Sequence, residues 1–230
     1  LQNNIFVIAF KNLRWFEWVM FLAMIVIGAF YMVTDKTHPH WYLVVNYICS
    51  IMGISCIFLC AHASWPKWIF GIINTVLYSI ILFYNHVYGT FALEMLYYLP
   101  CGVVGLYLWT KHLDNKEKDK CKTRVMSWKL RLLMFVIVVT IRYFLVKIGG
   151  ATPLLDAITV SLGVIATFYE IKRYADQYAL WLISDVIAIT QWILLGDVIM
   201  VTKKSIYFVM SIIGIINWTR MQKERNTENS

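Results

Sequence analysis

Apolar residues run along this chain in blocks too long for the core of a water-soluble domain, and charged residues collect between the blocks. Eight blocks predict membrane-spanning helices at about 17–34, 41–61, 66–85, 89–110, 129–147, 152–171, 178–196 and 198–219. Each approaches the ~20 residues that cross ~30 Å of hydrocarbon. The connections are short except for HLDNKEKDKCKTRVMSWK at 112–129, which leaves no room for a soluble catalytic domain. Composition agrees, with 60% hydrophobic residues over 230 positions and a mean hydropathy of +0.64. The expected fold is an all-α integral membrane protein whose first span is retained, because no small-residue cleavage site follows it.

Charge sets the orientation. With eight spans, sixteen Lys and Arg residues fall on one side, at the amino terminus, at Lys67, in the 111–131 loop, at Lys172 and Arg173, and after span eight. Only Lys36, Lys147, Lys203 and Lys204 fall on the other. Cytoplasmic loops carry the excess of basic residues, so both termini are expected in the cytoplasm. The net charge of +8 then belongs to a loop facing anionic lipid headgroups, and nucleic acid is not an expected partner. Cys49, Cys56, Cys60 and Cys101 lie in spans and Cys121 in the basic loop, without metal-ligand spacing. They read as packing residues, and neither metal nor cofactor is expected.

The chain also looks duplicated. Trp65 to Trp68 ahead of one apolar run matches Tyr178 to Trp181 ahead of another, 113 positions later, and the same offset pairs Glu94 with Tyr207. Gly105-x-x-x-Trp109 matches Gly214-x-x-x-Trp218 at 109. Spans two to four and six to eight become two three-helix repeats, parallel because four spans separate them, with span five as a linker helix and span one as an extra amino-terminal helix. The corresponding segments are 1–40, 41–110, 111–150, 151–219 and a cytoplasmic tail at 220–230.

Polar groups inside spans mark the interior. A carboxylate at mid-membrane costs roughly 2.5–3.5 kcal/mol on insertion scales, so Glu94 and Asp185 call for a role; Asp156 reads as a helix-start charge, with Arg142 a deep basic partner. Trp181 and Asp185 share a helix face, as do Asn74 and Tyr78, while Tyr97 and Tyr98 follow Glu94 by three and four positions. Trp68 is the first-half counterpart of Trp181, and Tyr207 completes the set. Trp65 and Tyr178 are assigned to an interfacial aromatic belt, Lys203 and Lys204 to snorkelling, and His62 to an interfacial or structural place. Rings, carboxylates and amides suit a neutral or cationic ring bearing hydroxyls better than a phosphate. Neither HExxH nor GxSxG is present, which disfavours an enzyme.

The ordered series WPKWIFGIINTVLY, VYGTFALEMLYYL, GLYLW, YALWLISDVIAI and SIYFVMSIIGIINW, over residues 41–219, resembles the PnuC family of bacterial vitamin transporters. The resemblance implies a three-plus-one-plus-three architecture like that of SWEET sugar transporters, in the bacterial inner membrane. It implies uptake of nicotinamide riboside by facilitated diffusion with alternating access, drawn inward by a separate cytoplasmic riboside kinase. Carried over by position, the family's second-half tryptophan, the acid after it and the tyrosine of the last helix fall on Trp181, Asp185 and Tyr207; the expected contacts are Trp181 stacked on the nicotinamide ring, Asp185 and Asn74 hydrogen-bonded to the amide or ribose, and Glu94 on a hydroxyl or against the pyridinium charge. Tyr78, Tyr98 and Tyr207 line or gate the passage. Two departures stand out: Glu94 where the family commonly has glutamine, and Gln177-Tyr178 where it has Asn-Trp. Span one is assigned to peripheral packing or homo-oligomer contact. The competing readings are a sugar carrier, a proton-coupled carrier using Glu94 or Asp185, an intramembrane enzyme and a scaffold.

Overall fold

The computed structural model describes residues 10–11, 13–112 and 153–228; span five, most of the basic loop, Cys121 and Arg142 lie outside them. The described residues form seven helices and no strand: α1 (Trp15–Thr34), α2 (His40–Ala61), α3 (Lys67–Tyr84), α4 (Tyr88–Lys111), α5 (Pro153–Ile171), α6 (Gln177–Leu194) and α7 (Val198–Glu228). Six are long and apolar enough to cross a membrane, and α5 carries a shorter apolar stretch, Ile158–Ile171. The chain is thus an all-helical membrane protein. Its helices are apolar outward and polar inward, since only an interior can satisfy polar groups in lipid. On α3, Ile73, Val76, Ile80 and Phe83 face out while Thr75, Tyr78 and Ser79 are buried. Helix α1 packs on α2 and α7 and exposes most of its apolar surface.

Residues 61–90 and 171–200 have the same succession of turns and helices. Helix α2 closes on left-handed Ala63 (φ 54°), with Ser64 N–H donating to Leu59 O at 2.9 Å; α5 closes on Arg173 (φ 65°), with Tyr174 N–H donating to Tyr169 O at 2.8 Å. Helices α3 and α6 end likewise on His86 (φ 56°) and Gly196 (φ 75°), where only the second position has the residue that adopts this conformation without steric cost. Every equivalence here is 110 positions, which corrects the 113 read from the Trp65 and Tyr178 tetrads. Lys67 matches Gln177, Trp68 matches Tyr178, and Glu94 matches Lys204.

Past Glu94 the offset becomes 109, because α4 contains a π-helical turn over Glu94–Tyr98 that adds one residue. The two repeated Gly and Trp pairs then do the same work. Gly105 lies flat under Trp68, where an added Cβ would come 2.5 Å from Cη2, and Gly214 lies under Tyr178, where it would come 2.5 Å from Cζ. Trp109 Nε1 donates to Glu170 O at 3.2 Å and Trp218 Nε1 to Cys60 O at 3.0 Å. Each triplet's last helix therefore grips the first helix of the other triplet. Tyr178 is fully buried in this contact, not in an interfacial belt, and Trp65 packs at its edge.

Charged clusters tie both ends of the bundle. At the Trp109 end, Lys67 pairs with Glu170 between α3 and α5 and sits 3.7 Å from the Trp68 ring. Buried Glu17 of α1 accepts from Arg14 N–H at 2.6 Å and meets His62 Nε2 at 3.0 Å, while Arg14 donates to Asn217 at 2.6 Å. His62 is thus a structural ligand of α1. At the opposite end, Asp197 caps α7 through Met200 N–H (2.9 Å) and accepts from Tyr42 (2.5 Å) and Asn46 (2.6 Å) of α2. Burial pushes the Asp197 carboxyl up, and the bonds from Tyr42, Met200 and Asn46 pull against it.

Two stability predictions follow from these contacts. Gly105→Ala and Gly214→Ala should each destabilise the detergent-solubilised protein by about 1–3 kcal/mol, the range for overpacking; Gly71→Ala, whose Cβ meets only Cys56 Sγ at 3.3 Å, should cost less. Thermal unfolding of the three variants compares them directly. Lys67→Met alone should cost about 3–5 kcal/mol by stranding buried Glu170, whereas Lys67→Met with Glu170→Leu should recover most of that loss.

Candidate functional site

A cavity of about 150 Å³ sits between the two triplets, walled by α2, α3 and α4 on one side and α5, α6 and α7 on the other. Trp68, Asn74, Tyr78, Glu94, Tyr98, Trp181, Asp185 and Tyr207, the eight residues selected from the sequence, all line it. Helix geometry explains the grouping. Asn74 and Tyr78 are one turn apart on α3, and Trp181 and Asp185 one turn apart on α6, so each helix turns one polar stripe inward. The π turn does the same for α4: its wider winding aims both Glu94 and Tyr98 at the cavity, while Tyr97 OH donates to Val164 O at 2.9 Å.

Two glycines set the depth of the walls. Gly163 of α5 leaves room for the Tyr98 hydroxyl, which a Cβ would displace. Gly53 of α2 lets Asn74 Oδ1 and Lys203 Cε approach to where a Cβ would stand 2.6 Å from each, with the Tyr207 hydroxyl closer still. The Tyr98 and Trp181 rings pack against each other at the cavity wall, their centroids 6.3 Å apart at 45°. Asp185 is buried, and its Oδ2 accepts from Ser211 Oγ at 3.1 Å. Asn74 Oδ1 accepts from Lys203 Nζ at 2.8 Å and from Cys49 Sγ at 3.4 Å, which leaves the amide nitrogen to donate inward. Glu94 Oε2, Thr159 Oγ1 and Trp68 Nε1 are buried in the walls without a partner among the described residues. An acceptor, a hydroxyl and a donor are thereby held ready for a guest.

The lysines differ from the sequence reading. Lys203 and Lys204 line the cavity instead of snorkelling to headgroups, and Lys203 is 1% exposed. They sit on the α7 face that carries Tyr207 one turn later, and that face packs against α2 and α6. Lys67, counted as a surface charge, is buried with Glu170, and both line the cavity. The interior is therefore richer in amines than its sequence suggests. Glu170 and Thr159 were missed: Glu170 stands at the end of a predicted span beside Lys172 and Arg173, where a solvated charge is the default, and a lone Thr in a span carries no signal. Asp156 falls in α5, but its side chain lies outside the described set.

Known proteins match this arrangement over nearly its full length. The nicotinamide riboside transporter PnuC of Neisseria mucosa is 27% identical over 192 residues, covering 78% of this chain and 73% of that protein. The Haemophilus influenzae protein of the same name is 24% identical over 213 residues, covering 90% and 92%. A crystal structure of the vitamin B3 transporter PnuC superimposes with a TM-score of 0.79 at 25% identity, covering 93% of this chain and 94% of that one. The family model described as nicotinamide mononucleotide transporter matches residues 43–220, and the chain belongs to that family.

Proposed function

We propose that this chain carries nicotinamide riboside across the bacterial inner membrane by facilitated diffusion, through alternating access of the interhelical cavity. The observation that carries the reading is the convergence of two aromatic rings, two carboxylates and an amide on one cavity between the two triplets. The relatives named as nicotinamide riboside transporters support it. The proposed architecture has eight spans, with α2–α4 and α5–α7 as parallel repeats joined by a linker helix, α1 outside them and both termini cytoplasmic. The recurrence of turns at a fixed offset supports the repeats, and the distribution of Lys and Arg supports the orientation.

In this reading the pyridinium ring stacks on Trp181, beside Tyr98, and the π faces of both attract a planar cation. Asp185 and the Asn74 amide hydrogen-bond the carboxamide or ribose, and Glu94 supplies an acceptor for a hydroxyl and negative charge for the ring. Thr159 and the Trp68 N–H are further groups able to bond the ribose. Tyr78 and Tyr207 line the approach from α3 and α7. In facilitated diffusion neither ATP hydrolysis nor an ion gradient is coupled to the cycle, so net flux follows the substrate gradient, and phosphorylation by a cytoplasmic riboside kinase keeps that gradient inward.

Calorimetric titration of the purified protein with nicotinamide riboside, its mononucleotide and a hexose tests the assignment. Binding of the riboside is expected; binding of the hexose alone would overturn it in favour of a sugar carrier. Trp181→Ala should weaken riboside binding by at least about tenfold, the loss of one desolvated ring contact. Lys111→Ala, at the exposed end of α4, should leave it unchanged.

A further inference from the structure

Six charged side chains line the cavity: Glu94, Glu170 and Asp185 against Lys67, Lys203 and Lys204. Their circumstances differ. Lys67 and Glu170 neutralise each other directly. Lys203 is fixed, with its ammonium donating to Asn74 Oδ1 at 2.8 Å and to Cys49 Sγ at 3.2 Å. Lys204 has neither a hydrogen bond nor a carboxylate within 4 Å among the described residues; its Nζ lies 5.5 Å from the Tyr78 ring and 5.1 Å from the Tyr207 ring. Yet it shares the wall of one cavity of about 150 Å³ with both Asp185 and Glu94. It also occupies the α7 position equivalent to Glu94 on α4, so the two halves put opposite charges at matching points.

We propose that Lys204 is a tethered counter-cation for Asp185 and Glu94, which keeps the unloaded cavity neutral so that the empty carrier can reorient, at some loss of affinity for a cationic substrate. The proposal rests on the reading that the chain carries a pyridinium riboside by alternating access. The charge tally gives it direction. With all six side chains ionised the empty cavity is neutral and the loaded one carries the ring's positive charge. Without Lys204 the empty cavity keeps an uncompensated negative charge in a low-dielectric interior, and the loaded one becomes neutral. Buried unpaired charge is the costly state, so removing Lys204 favours the loaded carrier and penalises the return of the empty one. An ammonium held only by ring faces, on a flexible stem, can withdraw when the ring arrives.

The test compares net uptake of labelled nicotinamide riboside into empty proteoliposomes with exchange into vesicles preloaded with unlabelled riboside. Lys204→Gln should tighten riboside binding by about fivefold and raise the ratio of exchange to net uptake by at least about tenfold, because only net uptake requires the empty carrier to return. The double variant Glu94→Gln with Lys204→Gln restores the neutral tally and should bring the ratio back towards wild type. An unchanged ratio in Lys204→Gln, weaker binding, or a double variant as exchange-biased as the single one would each overturn the proposal. Should Lys204→Gln fail to fold, adding it to Glu94→Gln must tighten binding relative to Glu94→Gln alone, and failure to do so overturns the proposal as well. A wild-type protein that binds no riboside overturns the transport reading itself; one that binds and transports while the variant's ratio stays fixed overturns this proposal alone.

Discussion

Hydrocarbon offers no partner to a polar group, and that constraint organises the whole bundle. Charged and amide side chains that water would have taken at the surface of a soluble protein are driven between the helices, where each must find a partner or a purpose. Lys67 and Glu170 find one another; Asp197 gathers Tyr42, Asn46 and a backbone N–H; Glu17 gathers His62 and Arg14 N–H. These three arrangements sit near the helix ends and hold α1, α2, α3, α5 and α7 in register. The cavity wall, like a few other buried sites, holds polar atoms without a partner among the described residues. Glu94 keeps an unmatched oxygen there, as Thr159 and Trp68 keep unmatched polar atoms, and such groups in a dry wall are what a guest with hydroxyls and a cationic ring would complete.

The inward face was legible in the sequence because lipid makes the signal one-sided. A polar residue in a long apolar block, with another at helical spacing, has only one direction to point, and the Asn74, Tyr78 and Trp181, Asp185 pairs could be read from that alone. The lysines were not legible for the converse reason. A lysine within a turn of a span end can reach headgroups by bending its stem, so its position does not say which way it goes. Only the packing of α7 against α2 and α6 turns Lys203 and Lys204 inward, and that packing is tertiary information. Glu170 was hidden the same way, by its neighbours Lys172 and Arg173.

The internal repeat was legible in outline and misread in register. The tetrads beginning at Trp65 and Tyr178 share aromatic letters, but the backbone equates positions by where helices stop, and the left-handed residues Ala63, Arg173, His86 and Gly196 fix that at 110. Three of these four are not glycine, so nothing in the composition announced them. The Gly105 and Gly214 motifs, at 109, were nearer the truth and pointed to something in between. A π turn is the least disruptive way for a helix to hold an extra residue, and in α4 it absorbs the one residue by which α4 is longer than α7 between matching positions. Glu94 faces the cavity and Gly105 and Trp109 meet Trp68 and Glu170, just as Lys204, Gly214 and Trp218 of α7 make the matching contacts without a π turn.

A repeated backbone with unlike side chains is the combination that an asymmetric guest requires. The turns and crossing contacts that define the triplets recur almost without change: Trp109 on Glu170 O, Trp218 on Cys60 O, and each glycine beneath its ring. At the cavity wall the same correspondence sets Glu94 against Lys204, Thr75 against Asp185, Lys67 against Gln177 and Cys60 against Glu170. No charged position is matched by its own kind. Had the wall been equally symmetric, a molecule with a ring at one end and a sugar at the other would have two orientations of equal energy. Opposite charges at matching points, Glu94 against Lys204, remove that degeneracy.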